Sequence, residues 1–292
     1  EVDFFFGKVQ RGFSQRTQFN QNGTIQPSHW AYRKRGQCGT EVSELFPHIG
    51  GCADDLCVIR SMQSKGQSHG QAVCMIHTGS DNFVRPSMGA WISYGLGTEN
   101  ADLPAFVSIS PPATHGGPRN YGSAFLPAAH QGTTVGRAGK LGKDASFRFL
   151  DASGDSAGQM RKLDLLQAMN REHFERTRHA PVEGMIQSME LAFRMQTQVP
   201  EMLDLSKEDD KTKAMYGIGN DATDAFARKC LLARKLVEKG VRFVQLYAGT
   251  WDSHDYIERA HGNLIHQVDQ PIAALIKDLK QRGLLEDTLI VW

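Results

Sequence analysis

Val241-Arg242-Phe243-Val244-Gln245-Leu246-Tyr247, followed closely by Thr250-Trp251-Asp252-Ser253-His254-Asp255, is the stretch on which the reading of this chain turns. The first seven residues are a short apolar run after Gly240, a residue suited to closing a preceding helix, so they predict a buried strand. From Asn263 to Arg282 the apolar residues Leu264, Ile265, Val268, Ile272, Leu275, Ile276 and Leu279 recur at helical spacing, and Gly283 ends the pattern. Thr288-Leu289-Ile290-Val291-Trp292 then reads as a second apolar strand. Strand, crossover helix and parallel strand together form a right-handed unit in nearly all proteins. Parallel sheets put their chemistry at the carboxyl ends of strands, where Asp252 and His254 fall. Because the chain stops at Trp292, where a further set of site groups is expected, the sequence is read as a fragment.

Working outward, 292 residues suffice for one large α/β domain or two modest ones, and the reading adopted is a single domain over 1–292. Lysine plus arginine number 33 against 32 for aspartate plus glutamate, so no global field recruits nucleic acid or an anionic membrane. No apolar run approaches the length of a membrane-spanning helix, and Glu1-Val2-Asp3 does not open a signal peptide. Cys38, Cys52, Cys57, Cys74 and Cys230 contain no C-x-x-C pair, which argues against structural zinc.

Residues 1 to about 40 read as a polar, irregular surface segment around Phe4-Phe5-Phe6. Residues 43–49 read as a short helix and residues 56–62 as the first good strand, leading into Gly66-Gln67-Ser68-His69-Gly70. A helix is expected from Gln71 to Thr78, another over 88–97, and a strand over 104–109. The Gly, Pro, Ser and Thr density of residues 111–150 predicts an excursion of loops, a possible cap over the site. Helical spacing resumes over 159–179, 183–198 and 221–239, with 204–219 as a charged connector.

Asp252 and His254, two positions apart on extended chain, point the same way and can share a divalent metal; the bland alternative is that they hydrogen-bond their own turn. Asp255, His261 and His266 are nearby alternatives, the last falling among helical residues that pack or face solvent. The helix that begins after Ser68-His69 offers free backbone N–H groups suited to phosphate or sulfate. His77 lies two turns along that helix from His69, able to share a face but not a metal, and Cys74 reads as core.

Val42-Ser43-Glu44-Leu45-Phe46-Pro47-His48, then Arg85-Pro86-Ser87-Met88-Gly89-Ala90-Trp91 with Tyr94-Gly95-Leu96-Gly97, are long and specific motifs. Together with Phe193-Arg194-Met195-Gln196, Cys230-Leu231-Leu232-Ala233-Arg234, and Gly240 to Tyr247 with Trp251-Asp252-x-His254, they resemble the sulfatase-like bacterial proteins of the domain of unknown function 1501 over nearly the whole chain. That family looks like a branch of the alkaline phosphatase superfamily. The resemblance implies a three-layer α/β/α sandwich with a mostly parallel sheet, here incomplete. It also implies hydrolysis of sulfate or phosphate esters with a divalent metal (zinc, manganese, calcium or magnesium), acting on a small-molecule or glycan ester. Family resemblance places the protein in the periplasm or outside the cell, and implies that a chain lacking the family's first strand and later histidines is a poor catalyst.

In the superfamily the nucleophile stands nine positions before the threonine of a Thr-Gly helix end; counted back from Thr78-Gly79, that position is His69. Its roles, in order of preference, are metal ligand, imidazole nucleophile, and base to an attacking Ser68, with a plain structural histidine as the bland reading. Arg85 either reaches an anion or fixes the loop before Pro86, and His115, in the loop excursion, is a weaker substrate contact. The competing functions are a non-catalytic metal- or glycan-binding protein, suggested by the missing hydroxyl or thiol at position 69, and a phosphoryl-transfer mutase. Every version with a shared centre requires the His69 imidazole and the Asp252 carboxylate to meet on one rim of a common sheet.

Overall fold

The computed structural model describes residues 28–66, 68–136, 156–178, 180–249, 251–254 and 256–292. The segment around Phe4-Phe5-Phe6, Gln67, the second half of the loop excursion (137–155), Thr250 and Asp255 lie outside the described residues.

A hairpin opens the described chain: β1 (Tyr32–Arg35) pairs antiparallel with β2 (Thr40–Ser43). A turn and a 3-10 segment, Ile49–Asp55, follow where a short helix over 43–49 is expected. Pro47 has no N–H to give, and the N–H groups of His48 and Ile49 donate to the buried carboxylate of Asp269, at 2.9 and 2.8 Å, so the chain is held by a side chain instead of by helical bonds.

The central sheet has the order β4-β3-β5, all parallel, from β3 (Phe106–Ile109), β4 (Thr133–Val135) and β5 (Phe243–Leu246). Phe106 pairs with Phe243 and Ile109 with Leu246, so β3 and β5 end side by side. Helix α1 spans His69–Thr78 and α2 spans Met88–Leu96. The long helices α3 (Ser156–Thr177) and α4 (Ala180–Leu203) form a pair, and α5 (Asp210–Tyr216), α6 (Asp224–Glu238) and α7 (Ile257–Gln281) complete the set.

Alternation along the strands separates two faces. Val107 and Ile109, with Val244 and Leu246, pack on Met195 and Val199 of α4 and on Leu232, Ala233 and Leu236 of α6. The other face carries Phe106 against Phe243, ring centroids 5.1 Å apart, with α2 lying on them at Gly89. A Cβ at Gly89 would sit 2.6 Å from both rings, so the glycine of the Ser-Met-Gly-Ala-Trp motif is what lets the helix reach the sheet. The fold is thus a mixed α/β protein around a parallel three-stranded sheet.

Two expected strands differ. Residues 56–62 and 288–292 are irregular, and neither pairs its backbone with a strand of the described sheets, without which an apolar run has no ladder to join. Val58, Ile59 and Met62 are exposed, as are Leu289, Val291 and Trp292, while Ile290 tucks against the core beneath α7. The connector 204–219 is more ordered than its charge suggests: Asp209 caps α5 by accepting from the Thr212 N–H, and Tyr216 is fully buried.

A candidate histidine–carboxylate site

Three chain segments meet at the carboxyl edge of the parallel sheet. The loop after β5 delivers Asp252 and His254, the loop after β3 delivers His115, and α1 begins with His69. The Nε2 of His69 stands 2.8 Å from Asp252 Oδ2, and the Nε2 of His254 stands 2.9 Å from the same oxygen. The His115 ring sits edge-on to His69 with centroids 5.0 Å apart. An imidazole nitrogen facing a carboxylate oxygen at this distance carries the proton and donates it, so Asp252 accepts from two rings. The hydrogen bond from His254, then the charges and bond of the two rings, hold the Asp252 carboxyl below the ordinary carboxylate range. Asp252 is about half exposed, so the cluster is open to a ligand.

The loops carrying these groups hold unusual backbone. Ser110, His115 and Ala124 after β3, and Tyr256 after β5, have positive φ although none is glycine. Such conformations are costly and gather where a side chain must be aimed. The β5 loop is pinned internally: Trp251 Nε1 donates to the Ala248 carbonyl at 3.1 Å, and His261 Nε2 lies 2.9 Å from the Trp251 carbonyl.

Ser68 is the N-cap residue of α1, but its hydroxyl donates to Gln71 Oε1 at 3.1 Å and does not cap the helix. Arg85 is exposed and lies over the Phe83 ring, 5.7 Å from its centroid. His266 is exposed on α7, and Cys74 is buried. The structure therefore brings together His69, Asp252, His254 and His115.

Sequence reasoning overlooked a polar group on the sheet face beneath the site. Gln245 Nε2 donates to His77 Nδ1 at 2.6 Å, His77 lies against the Tyr247 ring, and Ser108 Oγ is 3.4 Å from Tyr247 Oη. Burial pushes the His77 imidazole down and the Tyr247 phenol up to about 12. The signal was a glutamine inside an otherwise apolar strand run.

The donor set of one carboxylate and two imidazoles suits a divalent cation in kind. Among the described residues, however, no three His, Cys, Asp or Glu side chains stand arranged around one cation position. His69 and His254 both direct Nε2 at Asp252 itself.

A parallel α/β sheet with a histidine–carboxylate group at its carboxyl edge defines the class of the protein. The chain matches the family described as Protein of unknown function (DUF1501) over residues 6–292, and it belongs to that family. No curated protein and no solved structure matches it.

Proposed function

We propose that the protein is a metal-dependent hydrolase of sulfate or phosphate esters, built on an alkaline-phosphatase-type α/β/α sandwich. The observation that carries this reading is the 2.8 Å approach of His69 to Asp252, which joins two segments far apart in sequence at one edge of the sheet. Asp252, His254 and His69 would hold the cation, with the Asp252 carboxylate already ionised. When bound, the cation would polarise the ester and stabilise charge developing on its oxygens. His115 lies beside His69 to meet substrate, and the first turn of α1, uncapped by Ser68, offers N–H groups to the ester oxygens.

The reading that His69 serves as nucleophile or ligand is favoured over attack by Ser68, whose hydroxyl is engaged with Gln71. The second reading is a binding protein that keeps the cluster without turnover; the histidine at the superfamily's nucleophile position supports it. We place the activity in the periplasm or outside the cell, and among the described residues no helix is long and apolar enough to cross a membrane.

The test is metal content and turnover of the full-length protein after incubation with zinc, manganese, magnesium or calcium. Stoichiometric metal lost in Asp252→Ala and His69→Ala, together with hydrolysis of an aryl sulfate or aryl phosphate, is expected. Tight metal binding without turnover on any ester leaves the binding protein; no metal retained by any form overturns the shared centre.

A further inference from the structure

Helix α3 packs against α4 through one face. Gln167 is buried and donates from Nε2 to the Ile186 carbonyl at 2.9 Å, and Arg171 pairs with Glu190 at 3.2 Å. At about 100° per residue, a second stripe lies about 130° round the helix and runs through Lys162, Leu165, Leu166, Met169 and Glu172. Its apolar members are open: Leu165 is 63%, Leu166 47% and Met169 60% exposed. A three-residue apolar centre on a long helix is more than the scattered surface leucine that needs no explanation.

The charges at the two ends of this stripe are opposite. Lys162 stands a turn before the leucines and Glu172 a turn after Met169, both exposed. A helix with this order is complementary to itself when inverted. A two-fold axis beside residue 167 sets Leu165 against Met169 of the partner subunit, and Lys162 against Glu172 of the partner subunit, at both ends of the contact. A parallel arrangement would place lysine on lysine and glutamate on glutamate.

We infer that this face of α3 is a homodimer interface, in which two copies of the chain pair their α3 helices antiparallel with Lys162 opposite Glu172 of the partner subunit. The α3–α4 pairs of the two copies then lie side by side as a four-helix arrangement, with leucine and methionine in the seam. Lys162 and Glu172 lie too far apart along one helix to bridge within a chain, so any coupling between them is between chains.

Sedimentation velocity across a concentration series on the full chain tests the proposal. The wild-type protein is expected to dimerise. Leu166→Glu is expected to raise the dissociation constant at least about tenfold, because it buries a carboxylate in the seam. Lys162→Glu alone should weaken the dimer and the double variant Lys162→Glu, Glu172→Lys should restore it, with far-ultraviolet circular dichroism unchanged across the set. A wild-type monomer at every concentration, a dimer indifferent to Leu166→Glu, or a double variant no tighter than Lys162→Glu overturns it.

Discussion

Asp252 Oδ2 accepts from two imidazoles at once, and the effect of each can be separated. His254 supplies the largest influence on its acidity, ahead of His69. His254→Ala is therefore expected to raise the Asp252 pKa more than His69→Ala does, read by carbon NMR of the carboxyl group. A carboxyl whose folded pKa is depressed contributes stability that is present above the ordinary value of about 3.9 and is lost as pH falls through the folded value. His77 behaves in the same direction for a different reason. Burial keeps its imidazole neutral, so the unfolded chain binds more protons below about pH 6.5, and stability declines as pH falls from there through the lower folded pKa. Replacing His77 by Phe should flatten the slope of urea-unfolding free energy between pH 7 and pH 5, by part of the about 1.4 kcal/mol per pH unit that one proton supplies. An unchanged slope would mean that His77 protonates as freely folded as unfolded.

At the scale of elements, Gly89 and Arg234 set how helices meet their neighbours. Gly89→Ala forces a methyl group into Phe106 and Phe243, and is expected to cost about 1–3 kcal/mol in urea denaturation, despite the better helix propensity of alanine. Arg234 on α6 is 2% exposed; its Nε donates to Asp278 of α7 at 3.0 Å, Asp278 also accepts from Tyr216 of α5, and Glu238 pairs with the same guanidinium. Arg234→Ala leaves buried Asp278 with Arg282 as its remaining cation, at 2.7 Å, and takes the guanidinium away from Glu208 and Glu238; it should cost about 1–3 kcal/mol, and Arg234→Met, which refills the volume, should cost less. The helices were the legible elements. Composition and a closing glycine located α1 and α2 to within two residues, and periodicity located α6 and the body of α7, whose first turns before Asn263 lack the apolar repeat. The strand over 104–109 and that at Phe243 were equally plain. Residues 56–62 and 288–292 misled because apolar alternation reports a preference for a pleated, half-buried surface, and pairing depends on a neighbour that no local pattern names. Of the site, Asp252 and His254 were legible from residue type and position at an element end, while His69 came from the count back from Thr78-Gly79 that the family resemblance supplied. The Gln245–His77–Tyr247 group was not, since a polar residue in a strand shows its partner only after the sheet is assembled.

For the molecule as a whole, apolar surface is unevenly placed. Val58 is 54%, Ile59 64% and Met62 78% exposed, in a backbone with no ladder partner among the described residues. Such a segment is a template for pairing with another chain. Val58→Lys with Ile59→Lys should lower light scattering on heating without lowering the midpoint of urea unfolding; an unchanged scattering profile would place the association elsewhere. The near balance of charges leaves little global repulsion to oppose that association.

The register that sets Phe106 beside Phe243 joins strands separated by nearly half of the chain, and the imidazole of His69 reaches its carboxylate only once that register exists. During synthesis, α1 leaves the ribosome long before Asp252 does, so its histidine waits unengaged while the intervening helices emerge. Slow, non-local closure of this kind is costly in chain entropy. The cluster should accordingly be among the last features a nascent chain acquires, and a probe on His69 would time the completion of the sheet.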